Sequence, residues 1–345
     1  MKDNPYTLSF GIEPTEQIPR IKLTSEILDT FTAEIPSQYL YIITGIRGSG
    51  KTVLMTSIAN NLRENDDWIV VELNPERDLL ESLAAKLASD NALATIFQSA
   101  KINLSAFGIG LEVKGGVPIT DIEVALQKML ESLKRKKKRI LVTIDEVSGT
   151  KQMKIFASAF QIFIRQKLPI FLLMTGLHEN IKKMKDEDAL TFLYRAPVIQ
   201  LEPLNLGTIA TNYSHNLNVG RDTALEMART TKGYAFAFQV LGYLTWDNGG
   251  NYKEILPEYR QRLEEYVYDK VWTELSGKDK QVAIAIVKSQ TGKAEDIRQL
   301  LDLKNNEYAP YRRRLIKKGI VDGSEHGKLK FALPYFDEYV KEHYS

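Results

Sequence analysis

The sequence predicts an α/β fold with a parallel sheet, followed by a helical region and a small C-terminal module. Two observations predict the sheet. Short, nearly continuous apolar runs recur between residues 39 and 204, as expected for strands buried on both faces. Helical patterns separate these runs, and parallel strands need such crossovers. A third observation bounds the sheet, because the strand signals stop after Pro203.

The apolar runs predict five strands, at 39–45, 68–73, 139–147, 169–177 and 197–204. Helices are predicted at 78–90 and 121–135, and the glycine-punctuated stretch 102–119 between them indicates a hairpin. The strands and helices alternate along the chain, which is typical of a parallel sheet covered by helices.

The C-terminal part has a different pattern of predicted helices and strands. Residues 205–275 are helical in pattern, with breaks at Gly220, Gly233 and the DNGGN turn. Three helices are then predicted over 278–290, 294–303 and 310–319, before two strands joined by DGSEHG. This order is typical of a winged helix. The predicted domains are 1–35, 36–204, 205–275 and 276–345.

Composition favours an ordinary globular protein, with 345 residues, 43% hydrophobic content and 26% charged residues. The absence of cysteine excludes disulfides and thiolate metal sites. No secretory signal or bilayer-spanning apolar run is evident, so we expect a cytoplasmic protein without a membrane partner. The net charge is +2, but residues 277–345 carry 14 Lys and Arg against 10 Asp and Glu. The positive excess therefore belongs to the C-terminal module.

The stretch GIRGSGKT matches the phosphate-loop pattern, and it lies between a predicted buried strand and a predicted helix. Its glycines allow backbone N–H groups to surround phosphate oxygens at a helix N-terminus. We expect Lys51 to reach the β- and γ-phosphates and Thr52 to bind Mg²⁺. The alternative is a tight strand-to-helix turn with no ligand. The predicted nucleotide-binding residues are Gly45, Ile46, Arg47, Gly48, Ser49, Gly50, Lys51, Thr52, Val53 and Asp145.

Two acids lie at the C-terminal end of the third predicted strand, in ILVTIDEV. They lie at a carboxyl end, where ligands bind in open α/β sheets. Asp145 is expected to hold Mg²⁺ together with Thr52, and Glu146 to orient the attacking water. The pair favours an ATP hydrolase over a small-molecule kinase. No Asn-Lys-x-Asp motif occurs, which favours ATP over GTP.

Two further catalytic candidates lie downstream. Thr175 ends the fourth predicted strand, beside the expected place of the water and the γ-phosphate. Arg195 precedes the fifth strand, where an arginine can stabilise transition-state charge in its own site or in a neighbour's. The alternatives are a β-forming residue at a strand end for Thr175 and a surface cation capping a helix for Arg195.

These motifs, with FLLMTGL, YRAPVIQLEPL and GYAFAFQVLGYLTW, resemble the AAA+ and STAND-related ATPases. The likeness is strongest to the archaeal-type ATPase and origin-recognition initiator group, over about Tyr39 to Tyr339. It implies strand order 5-1-4-3-2, an N-terminal arm near the adenine, a helical lid and a C-terminal winged helix. It also implies that Thr175 is the first sensor residue and that Arg195 is an arginine-finger or nucleotide-sensing residue. Two departures from the family pattern concern the lid: Ala235 stands where relatives often carry proline, and the segment has no arginine where many AAA+ lids place a second sensor. They weaken the case for strong lid-coupled hydrolysis and leave room for a slow, switch-like ATPase.

Basic residues cluster on the third helix of the predicted winged helix. In helix-turn-helix proteins this element enters the DNA major groove, so double-stranded DNA is a predicted partner. The alternative is a protein-docking module. The densest basic run, KRKKKR at 134–139, is interpreted as a solvated helix end rather than as an auxiliary DNA patch. The predicted DNA-binding residues are Arg312, Arg313, Arg314, Lys317, Lys318 and Lys328.

Two functions stay open at this point. The first is an ATP-dependent DNA-binding protein, with self-association through Arg195 as an open question. The second is a signalling or assembly ATPase of the STAND kind, whose C-terminal module contacts protein. A metabolic kinase is disfavoured by the Asp-Glu pair and by the long C-terminal region.

Overall fold

A computed structural model describes residues 3–9, 14–111 and 118–344. The chain packs as two compact units. The sheet unit comprises residues 20–44 and 51–200, and the helical unit comprises residues 1–19, 45–50 and 201–345. The division into four domains predicted from the sequence stays a prediction.

The sheet unit contains the parallel sheet that the apolar runs predict. Its strands are β1 (Leu40–Thr44), β2 (Trp68–Leu73), β3 (Arg139–Ile144), β4 (Ile170–Gly176) and β5 (Val198–Gln200). Their order is β2-β3-β4-β1-β5, and every pairing is parallel, which confirms the predicted order. Strands β1 and β4 are buried along their whole length. The fifth strand is shorter than predicted because it lies at the edge and pairs only with Ile42–Thr44.

Helices cover both faces of this sheet, and most of them begin at a polar capping residue. The side chains of Asp78, Asp121 and Thr150 each accept a backbone N–H from the first turn that follows. The helices are α1 (Ile21–Thr32), α2 (Lys51–Arg63), α3 (Leu79–Ser89), α4 (Asn91–Ser99), α5 (Ile122–Arg135), α6 (Lys151–Arg165) and α7 (His178–Lys185), and a 3₁₀ turn covers Asp188–Arg195.

The hairpin predicted at 102–119 is only partly within the described residues. Residues 102–111 form no strand; a 3₁₀ turn at Ser105–Phe107 is closed by a hydrogen bond from the Leu104 N–H to the Leu111 carbonyl. Residues 112–117 lie outside the described part of the chain.

The helical unit has one hydrophobic core that includes residues from both 205–275 and 276–345. The predicted breaks at Gly220 and Gly233 are present, and a Cβ on Gly233 would lie 2.6 Å from the Leu204 carbonyl oxygen. The first helices of the helical unit are α8 (Leu206–Asn216), α9 (Arg221–Thr230), α10 (Ala235–Asp247), α11 (Leu256–Leu263) and α12 (Asp269–Thr273), with a π-helical turn at Glu264–Tyr268.

The C-terminal module contains the predicted three helices and an antiparallel strand pair. These are α13 (Gly277–Ser289), α14 (Ala294–Leu301), α15 (Asn305–Lys317), β6 (Val321–Asp322) and β7 (Lys330–Phe331). A last helix, α16 (Phe336–Tyr344), was not predicted, although Phe336, Tyr339 and Val340 have the spacing of a buried helix face.

The predicted start of α15 at Pro310 is wrong. The helix begins five residues earlier, where the Lys304 N–H donates to the Glu307 carboxylate at 2.8 Å and caps the first turn. Pro310 therefore lies inside the helix. The predicted end is confirmed, because Gly319 follows the helix with a φ of +73°, a left-handed conformation that glycine adopts without strain.

None of the described helices is both long enough and apolar enough to cross a lipid bilayer.

Candidate functional site

In the sheet unit, four predicted site residues meet at the carboxyl ends of the central strands. The Thr52 hydroxyl donates to Asp145 Oδ2 at 2.8 Å, and the Thr175 hydroxyl donates to Asp145 Oδ1. The Glu146 N–H lies 3.0 Å from Asp145 Oδ1 and 3.2 Å from Thr175 Oγ1. Both oxygens of the Asp145 carboxylate are therefore hydrogen-bonded and held in one orientation.

The register of the parallel strands brings these residues together. Ile144 lies opposite Met174, so the next residues of the two strands, Asp145 and Thr175, follow side by side at the same edge. Thr175 is fully buried, whereas Glu146 is exposed. Glu146 also has a φ of +53°, a left-handed conformation that costs a residue with a Cβ about 1 kcal/mol. Such local strain is concentrated at functional sites.

The oxygens of Thr52 and Asp145 fit a magnesium ion. Mg²⁺ prefers hard oxygen ligands at about 2.1 Å in octahedral geometry, which places two adjacent ligands about 3 Å apart. The measured separation of Thr52 Oγ1 and Asp145 Oδ2 is 2.8 Å. These two residues are therefore the ones that would hold the metal, and Mg²⁺ would supply charge neutralisation for phosphate oxygens.

In the helical unit, the glycine-rich residues of the predicted phosphate loop contact the start of α10. The Tyr234 hydroxyl donates to the Arg47 carbonyl at 2.6 Å, and the Phe236 N–H donates to the Gly48 carbonyl at 3.0 Å. Burial raises the pKa of Tyr234, so this hydroxyl stays protonated and continues to donate at neutral pH. The loop backbone is thus held by the segment that begins the α10 helix.

The same loop contacts the C-terminal module. The Arg47 guanidinium pairs with the Glu274 carboxylate at 2.9 Å, and both side chains are 31% exposed. The Glu274 carbonyl accepts a long hydrogen bond from Lys318 at 3.4 Å. A Cβ on Gly319 would lie 3.6 Å from Ile46. Sequence reasoning missed Tyr234, Phe236 and Glu274, since no local pattern relates residues so far from the loop.

We expect Gly48→Ala to disrupt the loop. Gly48 has a φ of +69°, and an added Cβ would lie 2.2 Å from the Tyr234 hydroxyl and 2.8 Å from Phe236 Cβ. Overpacking and backbone strain together should lower the free energy of unfolding by about 3 kcal/mol. Urea unfolding and nucleotide titration would measure the loss.

Gly50→Ala is the matched control for this substitution. Gly50 also has a positive φ, +89°, but its added Cβ would meet only Ala235 Cβ at 3.7 Å. The control should lose only about 1 kcal/mol, from backbone strain. Equal losses for the two variants would show that the contact with Tyr234 is unimportant.

Arg195 lies away from the Asp145 cluster within the sheet unit. It is exposed and immediately precedes β5, whose Val198 pairs with Ile42 of the parallel strand β1. Arg195 is therefore at the amino-terminal edge of the sheet, whereas Asp145 and Thr175 are at the carboxyl edge.

The basic residues on and just after α15 divide into three groups. Arg314 binds the fully buried Asp279 carboxylate through three hydrogen bonds of 2.6–3.0 Å, and Lys318 lies 3.5 Å from the same group. Arg313 and Lys317 are exposed. Arg312 makes a 3.4 Å contact with the Gly323 carbonyl.

The remaining predicted DNA contact, Lys328, lies at the β6–β7 turn. Lys328 and Lys330 both pair with Glu325. These two lysines lower the pKa of Glu325 to about 2, so the ion pairs persist through the neutral range. The turn consequently carries less net positive charge than its lysines alone indicate.

Comparison with known proteins matches two parts of the chain to family models. Residues 27–168 match the family described as an ATPase domain predominantly from Archaea. Residues 265–340 match a domain of unknown function, DUF8462. No curated protein sequence matches the chain.

Solved structures match most of the chain at low sequence identity. The Walker-type ATPase PABY2304 of Pyrococcus abyssi has a TM-score of 0.63 at 17% identity, with 94% of this chain and 96% of that chain covered. The Aeropyrum pernix ORC2 protein, in ADPNP-ADP complexes, has a TM-score of 0.61 at 13% identity, with 97% and 95% covered. At these identities the likeness establishes the fold. Residues 27–168 are therefore similar to the archaeal ATPase domain family, and the chain shares its fold with these two solved structures.

Proposed function

We propose that this protein is a slow ATPase whose nucleotide state controls DNA binding by its C-terminal module, which acts as a winged helix. In this proposal the loop from Gly45 to Thr52 binds ATP, and Asp145 and Thr52 hold Mg²⁺. Glu146 orients the attacking water. The observation that carries the proposal is the ion pair between Arg47, in the phosphate loop, and Glu274, next to the C-terminal module.

The hydrogen-bonded cluster of Thr52, Asp145 and Thr175 supports the nucleotide part of the proposal. Its oxygens suit Mg²⁺, and the exposed Glu146 lies next to Asp145, where a carboxylate can accept a hydrogen bond from water. The matched Aeropyrum pernix protein is described in complexes with ADPNP and ADP, which supports an adenine nucleotide here.

The Arg47–Glu274 pair supports the coupling part. A bound triphosphate brings several negative charges to the loop, and charge-assisted hydrogen bonds to phosphate compete with a half-exposed carboxylate for the guanidinium. If Glu274 were released, the hydrogen bond from Lys318 to the Glu274 carbonyl would loosen. Lys318, which follows α15, also contacts the Asp279 carboxylate. Nucleotide binding would in this way change how α15 is held.

The test is fluorescence anisotropy of duplex DNA with the full chain, at several salt concentrations and with ATP, ADP or no nucleotide. Wild-type binding should depend on nucleotide and fall steeply with salt. Arg313→Ala/Lys317→Ala should weaken binding. It should also reduce the salt slope, the steepness with which the logarithm of the binding constant falls with the logarithm of the salt concentration, by about 1.8, because each lost phosphate contact removes roughly 0.9. Both residues are exposed, so the fold should be unaffected.

Two control variants make this test specific. Lys278→Ala/Lys288→Ala removes the same charge from exposed positions of α13 and should leave the slope unchanged. Arg47→Ala should retain DNA binding but reduce the difference between the ATP and ADP states. Absence of DNA binding in every nucleotide state would contradict the proposal.

A second function is favoured by one observation. Arg314 and Lys318 are both bound to Asp279, which leaves fewer cations of α15 to meet a phosphate backbone. A STAND-type assembly ATPase, whose C-terminal module contacts protein, needs no such cations. Nucleotide-dependent association without DNA binding, measured by light scattering, would support this alternative.

A further inference from the structure

The amino-terminal edge of the sheet carries a group of exposed cations that the proposed function does not use. They lie at the ends of α5 and α6 and on the turns that lead from these helices to β3 and β4. We call this group the basic edge, and its members are Lys134, Arg135, Lys136, Lys137, Arg165 and Lys167.

The two turns are neighbours in the fold. Strands β3 and β4 are paired in parallel from Ile140 and Ile170 onward, and the Ile140 N–H donates to the Pro169 carbonyl at 2.8 Å. Adjacent strands lie about 4.8 Å apart, so the cations of the two turns form one surface rather than two separate ones.

Two other cations of the same stretch have structural roles. Arg139 donates to the carbonyls of Phe31 and Ala33 at 2.7 and 2.9 Å, at the end of α1. Lys138 donates to the Asp66 carbonyl at 2.6 Å. The side chains of the basic edge itself are exposed, and of the four in the run 134–139 Arg135 also donates to Ser132 Oγ at 2.9 Å. The run therefore separates into two residues that hold the fold and four whose charge faces solvent.

Lys137 and Lys167 occupy backbone conformations that do not favour lysine. Their φ angles are +57° and +54°, and each follows a helix at the position where glycine is usual. In both turns the next residue donates back to the helix, from Lys138 to Leu133 and from Leu168 to Phe163. Glycine would relieve the strain at both positions, so the lysine charge is present despite a conformational cost.

We propose that the basic edge binds the phosphate backbone of a nucleic acid. Six exposed cations on two adjacent turns match a row of phosphates, for which lysine acts as a point charge. The exposed positions of the two turns include no aromatic or large aliphatic side chain. The surface therefore lacks the apolar groups that insert into membranes and the aromatic anchors that are typical of protein–protein interfaces. Asp66 and Asp67 on the turn before β2 limit the surface on that side.

This contact is separate from the one proposed for α15, and it does not need nucleotide hydrolysis. It also revises the interpretation of the run 134–139 as only a solvated helix end. Because the two surfaces involve different residues, either can fail without the other.

The test uses the full chain carrying Lys137→Gly/Lys167→Gly, with duplex and single-stranded DNA titrated at several salt concentrations. Binding should weaken by about tenfold or more at low salt, and the salt slope should fall by about 1.8 for two lost phosphate contacts. Glycine fits both left-handed positions, so the thermal unfolding temperature should be unchanged or higher. Lys137→Asn/Lys167→Asn should reproduce the loss, because asparagine also tolerates this conformation.

Lys182→Ala/Lys183→Ala, which removes two exposed charges from α7, is the matched control and should bind as the wild type does. Arg313→Ala/Lys317→Ala, measured in parallel, separates the two surfaces, and additive losses are expected. DNA affinity and slope equal to wild type in the glycine variant would overturn the proposal. Unchanged DNA binding with weaker binding to phosphatidylserine vesicles would also overturn it, in favour of a membrane surface.

Discussion

Replacing Glu146 with glutamine should lower the rate of ATP hydrolysis by about 100-fold or more while leaving ATP binding intact. A positioned general base typically contributes about 10²- to 10⁴-fold to a rate. Glutamine keeps the size of the side chain but cannot accept a proton from water. The strained backbone at Glu146, whose N–H contacts both Asp145 and Thr175, should be preserved. Single-turnover hydrolysis and a separate nucleotide-binding titration would measure the two properties.

Two control variants test whether the loss of turnover is specific to the Glu146 carboxylate. Glu64→Gln makes the same chemical change at an exposed position near the end of α2 and should leave the rate unchanged. Asp145→Asn should instead weaken binding of ATP with Mg²⁺, because it removes charge from the proposed metal ligand, which is hydrogen-bonded to Thr52. Unchanged turnover in Glu146→Gln would refute the role assigned to Glu146.

The neighbouring arginines of α15 should differ sharply in their effect on stability. Arg314→Ala should lower the free energy of unfolding by about 3 kcal/mol, since it removes the main partner of a buried carboxylate. Asp279 is fully buried and takes three of its hydrogen bonds from Arg314. Arg313→Ala, one residue earlier at an exposed position, should change stability by less than about 0.5 kcal/mol. Urea unfolding compares the two.

A double variant tests the physical cause. Adding Asp279→Ala to Arg314→Ala removes the unpaired buried charge, so the double variant should be more stable than Arg314→Ala alone. Equal stability of Arg313→Ala and Arg314→Ala would mean that the buried pair contributes little. The comparison also matters for function, because a loss of DNA binding in Arg314→Ala would not distinguish a missing contact from a disrupted module.

The sheet and the cluster around Asp145 could be predicted because their signals are local. Each buried strand is a short apolar run, and the phosphate loop is eight consecutive residues, from Gly45 to Thr52. Asp145 and Thr175 end adjacent parallel strands, so the strand order implied by the resemblance was enough to bring them together. The start of α15 was mispredicted because proline at a first helical position is a strong local signal, whereas the earlier cap depends on Glu307.

The sequence by itself therefore determined the strands, the loop and the proposed metal-binding pair, since their residues are contiguous or aligned by the sheet. Only the tertiary structure decided which cations form ion pairs within the fold. Arg314 pairs with Asp279 across 35 residues, and Arg47 pairs with Glu274 across 227. It also decided that Arg195 and the basic edge lie opposite the Asp145 cluster. A charged side chain is recognisable in a sequence, but its partner depends on the packing of segments that are distant along the chain. Local sequence periodicity carries no information about that packing.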